Sequence, residues 1–241
     1  QKQIDKLQNL KKAIMNELLT KGIGHTEFKD SELGRIPKSW EVRTFGAITN
    51  SIKSGLSRRL SSQDIGIPVI NSGNISTKGL NLDELKYWFI DDPQGANTEN
   101  YFLRDKDILL NFINSTAQIG KSCVFYEMGR DCIYTTNLFR IRVGSLVSSL
   151  FLHYLMTQER FQKEISIITK PAVNQASFTK DDLEEITVQV PSLPEQVLIV
   201  KHLSGIEKHI TKYYQKLTQT QSLKKSLMQD LLTGKVRVKM N

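Results

Sequence analysis

Hydrophobic residues recur at alternating spacings of four and three along the C-terminal part of the chain. The apolar positions of this seam are Ile199, Leu203, Ile206, Ile210, Tyr213, Leu217, Leu227 and Leu231. Thr220 and Lys224 occupy the same seam as polar members. This heptad spacing is typical of a coiled coil. It predicts one long helix over residues 192–234 that packs against a partner helix.

The predicted ends of this helix are marked by residues that begin and stop helices. Ser192 and Glu195 have the spacing of a capping box, and Pro194 falls in the first turn, where a missing N–H costs nothing. Gly234 is the predicted stop, because glycine commonly follows the last helical residue.

A near-copy of the end of this helix lies at the start of the chain. The segment Leu10–Thr20 (LKKAIMNELLT) matches Leu223–Thr233 (LKKSLMQDLLT) at seven of eleven positions. Such a repeat indicates duplication of a whole domain with its helix. We therefore expect residues 1–22 to be the end of a preceding helix of the same kind. Since the first residue is Gln1, we also expect the chain to be part of a longer protein.

The segment between the two helical ends has the pattern of a mixed domain. Short β-type runs alternate with Gly and Asn clusters, and they are IPVIN (67–71), DILLNF (107–112), SCVFYE (122–127), CIYTTN (132–137) and LFRIRV (138–143). One helix is predicted from Leu146 to Glu164 and a short one from Thr179 to Glu185, capped by Thr179. The prediction is an α+β fold with a linker over 23–35, a mixed domain over 36–191, and a tail over 235–241.

The charge of the chain favours a polyanionic partner. Thirty-three Lys and Arg against 25 Asp and Glu give a net charge of +8 and a pI of about 9.4. Five loops place small polar residues beside lysine or arginine, and they are residues 53–59, 71–79, 111–121, 134–137 and 169–180. Asn and Gln pair with adenine, Arg pairs with guanine, and Ser, Thr and Lys hold phosphates. These types are also common in ordinary turns, so the prediction of a DNA surface depends on the five loops together.

The candidate DNA-binding residues come from all five loops. They are Lys53, Ser57, Arg58, Arg59, Asn71, Ser72, Asn74, Lys78, Asn111, Asn114, Ser115, Gln118, Lys121, Thr135, Thr136, Asn137, Lys170, Asn174, Gln175 and Ser177.

No catalytic, metal or cofactor site is predicted. The four histidines are scattered over a linker and two helices, and no phosphate-binding glycine loop is present in the sequence. Asp91 and Asp92 precede a proline in a turn, and Asp181 and Asp182 fall in the first turns of a helix, where acidic side chains interact favourably with the helix dipole.

Cys123 and Cys132 are expected to be free thiols in a reducing cytoplasm. No apolar run has the length of a membrane span, so we expect a cytoplasmic protein.

Several segments together resemble the DNA specificity (S) subunit of Type I restriction-modification enzymes. The resemblance covers the whole chain and rests on IPKSWEV, IPVINSGNIS, DILLNFINSTAQIGKSCVF, TNLFRIRV, ITVQVPSLPEQVLIVKHL and LKKSLMQDLLTGKVRV. Only KSGLSRR departs from the family pattern, in a region that varies with the DNA target. The resemblance implies the C-terminal half of an S subunit. This half has one target recognition domain, similar to that of adenine-specific methyltransferases, between long helices that pack antiparallel.

The resemblance also implies the function and the partners. The chain would read one half of a bipartite duplex DNA target, without catalysis, and scaffold methyltransferase and restriction subunits. Two alternatives remain from other classes: the target-recognition part of a DNA adenine methyltransferase, and a coiled-coil scaffold that binds protein. We also expect a homodimer. Most of the first spacer helix is missing, which would leave Ile199, Leu203, Ile206 and Ile210 bare.

Overall fold

A computed structural model describes residues 2–76, 79–172, 175–233 and 235. The chain divides into two compact units. We call Gln1–Glu17 with Lys201–Asn241 the helical unit, and Leu18–Val200 the mixed unit. Five α-helices occur among the described residues: α1 (Lys2–Lys21), α2 (Ser149–Thr157), α3 (Glu159–Ile168), α4 (Lys180–Glu184) and α5 (Leu193–Leu232).

Among the described residues, the mixed unit combines short strands with helices, which confirms the α+β prediction. The strands are β1 (Phe28–Ser31), β2 (Gly34–Pro37), β3 (Glu41–Thr44), β4 (Thr49–Ser54), β5 (Ile67–Ile70), β6 (Ile75–Ser76), β7 (Gly79–Leu80), β8 (Lys86–Trp88), β9 (Ile108–Asn111), β10 (Ile113–Asn114), β11 (Ser122–Val124), β12 (Ile133–Tyr134), β13 (Leu138–Val143), β14 (Lys170–Pro171), β15 (Ala176–Ser177) and β16 (Thr187–Val190).

The central sheet of the mixed unit has the order β11-β9-β13-β4 and is antiparallel throughout. A second sheet, β12-β5-β8, pairs β12 with β5 in parallel and β5 with β8 antiparallel. Strand β9 is buried at all four positions, as its run of Ile and Leu predicts for a central strand. The apolar faces of these strands form the core, together with the buried side chains of α2.

Two features of the mixed unit differ from the sequence prediction. Residues 23–35, predicted as a linker, contain β1 and the start of β2, which pair as a hairpin. The single helix predicted from Leu146 to Glu164 is two helices, α2 and α3. They meet at Gln158, whose ψ of 145° is extended. Apolar periodicity continues through one extended residue, so the pattern does not distinguish one helix from two. The cap of α4 is confirmed, because the Thr179 side chain accepts a hydrogen bond from the Asp182 N–H.

The start of α5 is held by hydrogen bonds of the half-buried Glu195 and the buried Gln196. The carboxylate of Glu195 accepts hydrogen bonds from Trp40 Nε1 at 2.9 Å and from the Ile23 N–H at 3.2 Å, and it lies 2.7 Å from His25 Nε2. Gln196 is fully buried, and its amide donates to the carbonyls of Leu146 and Pro191. The predicted capping box is therefore wrong for Glu195, whose oxygens bind these groups and not the Ser192 N–H.

In the helical unit, α1 and α5 lie antiparallel. Gln8 Nε2 donates to the Tyr214 hydroxyl at 2.5 Å, and Lys11 Nζ lies 2.6 Å from Glu207 Oε1. Leu203 is fully buried within the single chain. The antiparallel helix pair predicted from the sequence is confirmed over this stretch.

The prediction that the first part of the seam is bare is wrong. Ile199, Leu203 and Ile210 are buried and Ile206 is half-buried. The exposed part of the seam is farther along α5 and comprises Tyr213, Leu227 and Leu231. Thr220 and Lys224 are also exposed, which agrees with an exposed seam end. The predicted stop, Gly234, lies outside the described residues.

Candidate nucleic-acid interface

The five polar loops predicted from the sequence lie side by side on the mixed unit. Residues 53–59 contact residues 134–137, because the Leu56 N–H donates to the Tyr134 carbonyl at 2.8 Å. The Tyr134 hydroxyl donates back to the Lys53 carbonyl at 3.0 Å. The Thr135 N–H donates to the Ile70 carbonyl at 2.9 Å, directly before the loop that begins at Asn71.

The remaining loops join the same surface. The Phe112 N–H donates to the Asn137 carbonyl at 3.2 Å, and the Phe178 N–H donates to the Phe112 carbonyl at 3.3 Å. The amide of Asn111 reaches the Ser72 carbonyl at 3.5 Å. Strands β10, β15 and β14 pair in that order and connect residues 111–121 with residues 169–180. We call the described residues of the five loops the loop surface.

The predicted residues of the loop surface differ in exposure. Six are exposed: Lys53, Ser57, Arg59, Ser115, Lys170 and Gln175. Ten are half-buried: Arg58, Asn71, Ser72, Asn114, Gln118, Lys121, Thr135, Thr136, Asn137 and Ser177. Asn74 and Asn111 are buried. Lys78 and Asn174 lie outside the described residues.

The exposed cations of the loop surface are available to a ligand. Within the described ranges, Lys53 and Arg59 make no ion pair with a carboxylate. Lys170 lies 3.4 Å from Asp182, but its side chain is 71% exposed. Lys121 donates to Gln118 Oε1 at 2.7 Å. The outer side of the loop surface therefore combines positive charge with amide and hydroxyl groups.

Arg58 has a structural role that the sequence does not indicate. Its guanidinium forms an ion pair with Asp92, with Nη2 2.5 Å from Oδ2. Asp92 is fully enclosed and also accepts hydrogen bonds from Trp88 Nε1 and from the backbone N–H groups of Gln94 and Ala96. The Arg58 side chain lowers the pKa of the Asp92 carboxyl well below its ordinary value of 3.8. The ion pair gives Arg58 a role in holding the loop, and its contact with DNA stays a prediction.

Asn74 and Asn111 also support the loops from inside. Asn74 Oδ1 accepts from the Asn71 N–H at 2.9 Å, and its Nδ2 donates to the Asn81 carbonyl at 3.0 Å. Asn111 is fully buried, and its Oδ1 accepts from Asn114 Nδ2 at 3.4 Å. The hydrogen-bonding groups of both amides are directed into the protein, so they shape the loops, and their contact with DNA stays a prediction.

Two supports of the loop surface were not predicted. The ring of Phe112 stacks on Phe139 with centroids 3.5 Å apart, and both rings lie 6.3 Å from Phe178. Gln162 on α3 donates to the Gly120 carbonyl at 3.1 Å and so holds residues 111–121. These residues are far apart along the chain, so no local pattern in the sequence relates them.

The structure also locates the two cysteines and bears on metal-binding groups and membrane spans. Cys123 and Cys132 are free and buried in one hydrophobic cluster, and burial raises the pKa of each thiol to about 12. The described part of the chain has no group of three His, Cys, Asp or Glu side chains arranged to hold a metal ion. Within those same residues, no helix is long and apolar enough to cross a membrane.

The chain is similar to known proteins over nearly its whole length. It is 30% identical to the MjaX type I restriction enzyme specificity subunit of Methanocaldococcus jannaschii over 86% of this chain and 48% of that protein. It is 29% identical to the MjaVIII specificity subunit of the same organism, over 99% of this chain and 56% of that protein. The chain thus spans about half the length of the relatives it matches.

Solved structures show the same fold. The HsdS subunit from Thermoanaerobacter tengcongensis matches with a TM-score of 0.63 and 19% identity, over 96% of this chain and 51% of that one. A chain from a structure on assembly and conformational transition of the type I R-M system matches with a TM-score of 0.66 and 18% identity, over 94% of this chain and 50% of that one.

Residues 37–220 match the family described as the Type I restriction modification DNA specificity domain. The chain therefore belongs to the Type I restriction modification DNA specificity family.

Proposed function

We propose that this chain binds duplex DNA through the loop surface and supplies sequence specificity to a Type I restriction-modification complex. The observation that carries the proposal is the convergence of five separate loops on one surface, where Lys53 and Arg59 are exposed and form no ion pair with any described carboxylate. A purely structural role for these loops would not require exposed cations beside amide groups.

The exposed side chains divide by chemistry into two groups. Lys53, Arg59 and Lys170 are suited to phosphates, which position a protein on DNA without reading its sequence. Gln175 is exposed, and Gln118 and Asn114 are half-exposed. Amides of this kind pair with adenine in the major groove. Phosphate contacts would supply most of the affinity, and the amides would supply discrimination.

The chain acts without catalysis in this proposal. Its relatives are named as specificity subunits of type I restriction enzymes, so methylation and cleavage would belong to separate methyltransferase and restriction subunits. The mixed unit would read one half of a bipartite target. Helix α5, with 40 residues and a length of roughly 60 Å, would act as a spacer that fixes the distance to the second half.

The proposal is tested by titrating the unmodified chain into a labelled duplex at increasing salt and measuring fluorescence anisotropy. Each phosphate contact contributes about −0.9 to the slope of log K against log salt, so contacts from Lys53, Arg59 and Lys170 together contribute roughly −3 to that slope. The affinities for duplexes of different sequence should differ only weakly, because the chain would read only half of the bipartite target. A salt-independent interaction, or none, would overturn the proposal and favour a scaffold that binds protein.

The end of α5 supports a further part of the proposal, a homodimer through the long helices. The two copies of the repeat differ in burial, since Leu19 in the first copy is fully buried and its counterpart Leu232 is 85% exposed. Leu223, Leu227, Met228 and Leu231 are also about half exposed. A second copy of the chain carries a complementary helix, and antiparallel pairing would cover this apolar surface in both copies.

Sedimentation equilibrium tests the homodimer. The unmodified chain is expected to be a dimer at tens of micromolar concentration, whereas Leu227→Asp introduces a charge into the exposed seam and should give a monomer. Gln221→Asp introduces the same charge at another exposed position of α5 and serves as the matched control. A monomeric unmodified chain would overturn this part of the proposal without affecting DNA binding by the mixed unit.

A further inference from the structure

One face of α5 in the helical unit carries four exposed lysines and no acidic residue. Lys201, Lys208, Lys212 and Lys216 are all exposed. At about 100° per residue they fall within an arc of roughly 80°, and they span roughly 22 Å of the helix. This arc lies on the side of α5 opposite the buried Leu203. We call it the lysine face.

The other positions in the same arc are small or polar. Gly205 and Gln219 lie in the arc, and Ser204 and Gln215 flank it within about 40°. Across the described ranges, none of the four lysine amines forms an ion pair with a carboxylate. The nearby acid Glu207 lies outside the arc, and its carboxylate is 2.6 Å from Lys11. The positive charge of this face is therefore not neutralised by neighbours on α5 or α1.

Gly205 lies between Lys201 and Lys208 and is an unexpected residue in a helix of 40 residues. Glycine in a helix interior costs about 1 kcal/mol relative to alanine. A Cβ added at Gly205 would meet nothing within 4 Å, so packing within the chain does not require glycine here. Its missing side chain leaves room for the backbone of an external partner on the lysine face.

We infer that the lysine face binds the sugar-phosphate backbone of duplex DNA independently of base sequence. This inference rests on the proposed function and adds a second contact, outside the loop surface. Duplex DNA carries one charge per about 1.7 Å of its axis, so the 22 Å of the lysine face corresponds to roughly a dozen phosphates. Serine and glutamine side chains between the lysines also donate hydrogen bonds to phosphate oxygens. The lysine face would hold DNA that the loop surface does not read.

The test replaces Lys201, Lys208, Lys212 and Lys216 together by glutamine in the full chain. If all four contact phosphates, the magnitude of the salt slope for a mixed-sequence duplex should fall by about 3 to 4. The ratio of affinities for two different duplexes should stay the same, because these contacts do not read bases. The matched control replaces Lys6, Lys12, Lys29 and Lys225, which are also exposed, and should change the slope much less.

Gly205→Leu separates binding from stability. Leucine favours helix more than glycine does, so the melting temperature should be unchanged or higher, while DNA affinity at low salt should fall several-fold. If the four-lysine variant and its control have the same salt slope for DNA binding, the inference is overturned. The proposed function still stands in that case if Lys53→Ala and Arg59→Ala weaken DNA binding. Binding of an acidic protein to the lysine face with no effect on DNA would also overturn it. If the unmodified chain does not bind DNA at all, the proposed function fails first.

Discussion

The loop surface has an inner layer and an outer layer built from the same residue types. Arg58 is paired with the enclosed Asp92, whereas its neighbour Arg59 is exposed. Asn74 is buried and hydrogen-bonded to backbone groups of Asn71, Asn81 and Glu84, whereas Gln175 is exposed. The polar residues of the loop surface therefore have two roles: those of the inner layer give the loops their shape, and those of the outer layer are exposed to a possible ligand.

Replacing the adjacent arginines Arg58 and Arg59 should give the largest difference between the inner and the outer layer. Arg58→Ala leaves the carboxylate of Asp92 enclosed without its cation and should lower the melting temperature by on the order of 10 °C. Arg59→Ala should leave the melting temperature nearly unchanged and lower the magnitude of the salt slope for DNA by about 1. Thermal unfolding and anisotropy titration of both variants check the pair. Equal melting temperatures would show that the two layers do not differ in this loop.

The pH dependence of unfolding provides a control for the same ion pair. Because Arg58 lowers the pKa of Asp92 in the folded chain, this carboxylate stabilises the fold at neutral pH. That contribution is lost as the pH falls below about 4. In Arg58→Ala the cation is absent, so the free energy of unfolding should fall less steeply as the pH is lowered from about 4.

Replacing an inner and an outer amide side chain, Asn74 and Gln175, should show a smaller difference of the same kind as the two arginines. Asn74→Ala leaves the Asn71 N–H and the Asn81 carbonyl without their partner, and should lower the free energy of unfolding by about 1–3 kcal/mol. Gln175→Ala should leave that free energy unchanged and reduce discrimination between DNA sequences, by about 1–3 kcal/mol if Gln175 makes a bidentate contact to a base. Denaturant unfolding and competition binding separate the two. Loss of discrimination in a fully stable Asn74→Ala variant would place Asn74 in the outer layer.

Much of the fold could be predicted from the sequence, because the longer elements carry strong periodic patterns. The buried runs at β5, β9, β11, β12 and β13 are mostly apolar, and the seam of α5 repeats over many turns. Strands of two residues, such as β10, β14 and β15, are too short to have a pattern. Their pairing depends on contacts between distant parts of the chain, which also explains why the hairpin of β1 and β2 was predicted as a linker.

The position of the candidate site could be predicted, but its layers could not. Composition and charge identify the five loops, since turn chemistry and DNA contacts both favour Asn, Ser, Gly and Lys. Whether an individual side chain faces inward depends on its three-dimensional neighbours. Asp92 is 34 positions from Arg58 along the chain, and no local spacing joins the two. The partner of Glu195 is likewise distant along the chain: its spacing from Ser192 fits a capping box, but in the fold its carboxylate accepts a hydrogen bond from Trp40.

Hydrogen–deuterium exchange of the unmodified chain, with and without duplex DNA, tests the central claim most directly. We expect slower exchange of backbone amides in residues 53–59, 111–121 and 134–137 when DNA is bound. Exchange in the hairpin of β1 and β2, which lies outside the loop surface, should be unchanged. Protection confined to that hairpin, with none in the five loops, would contradict the assignment of the loop surface as the DNA-binding site.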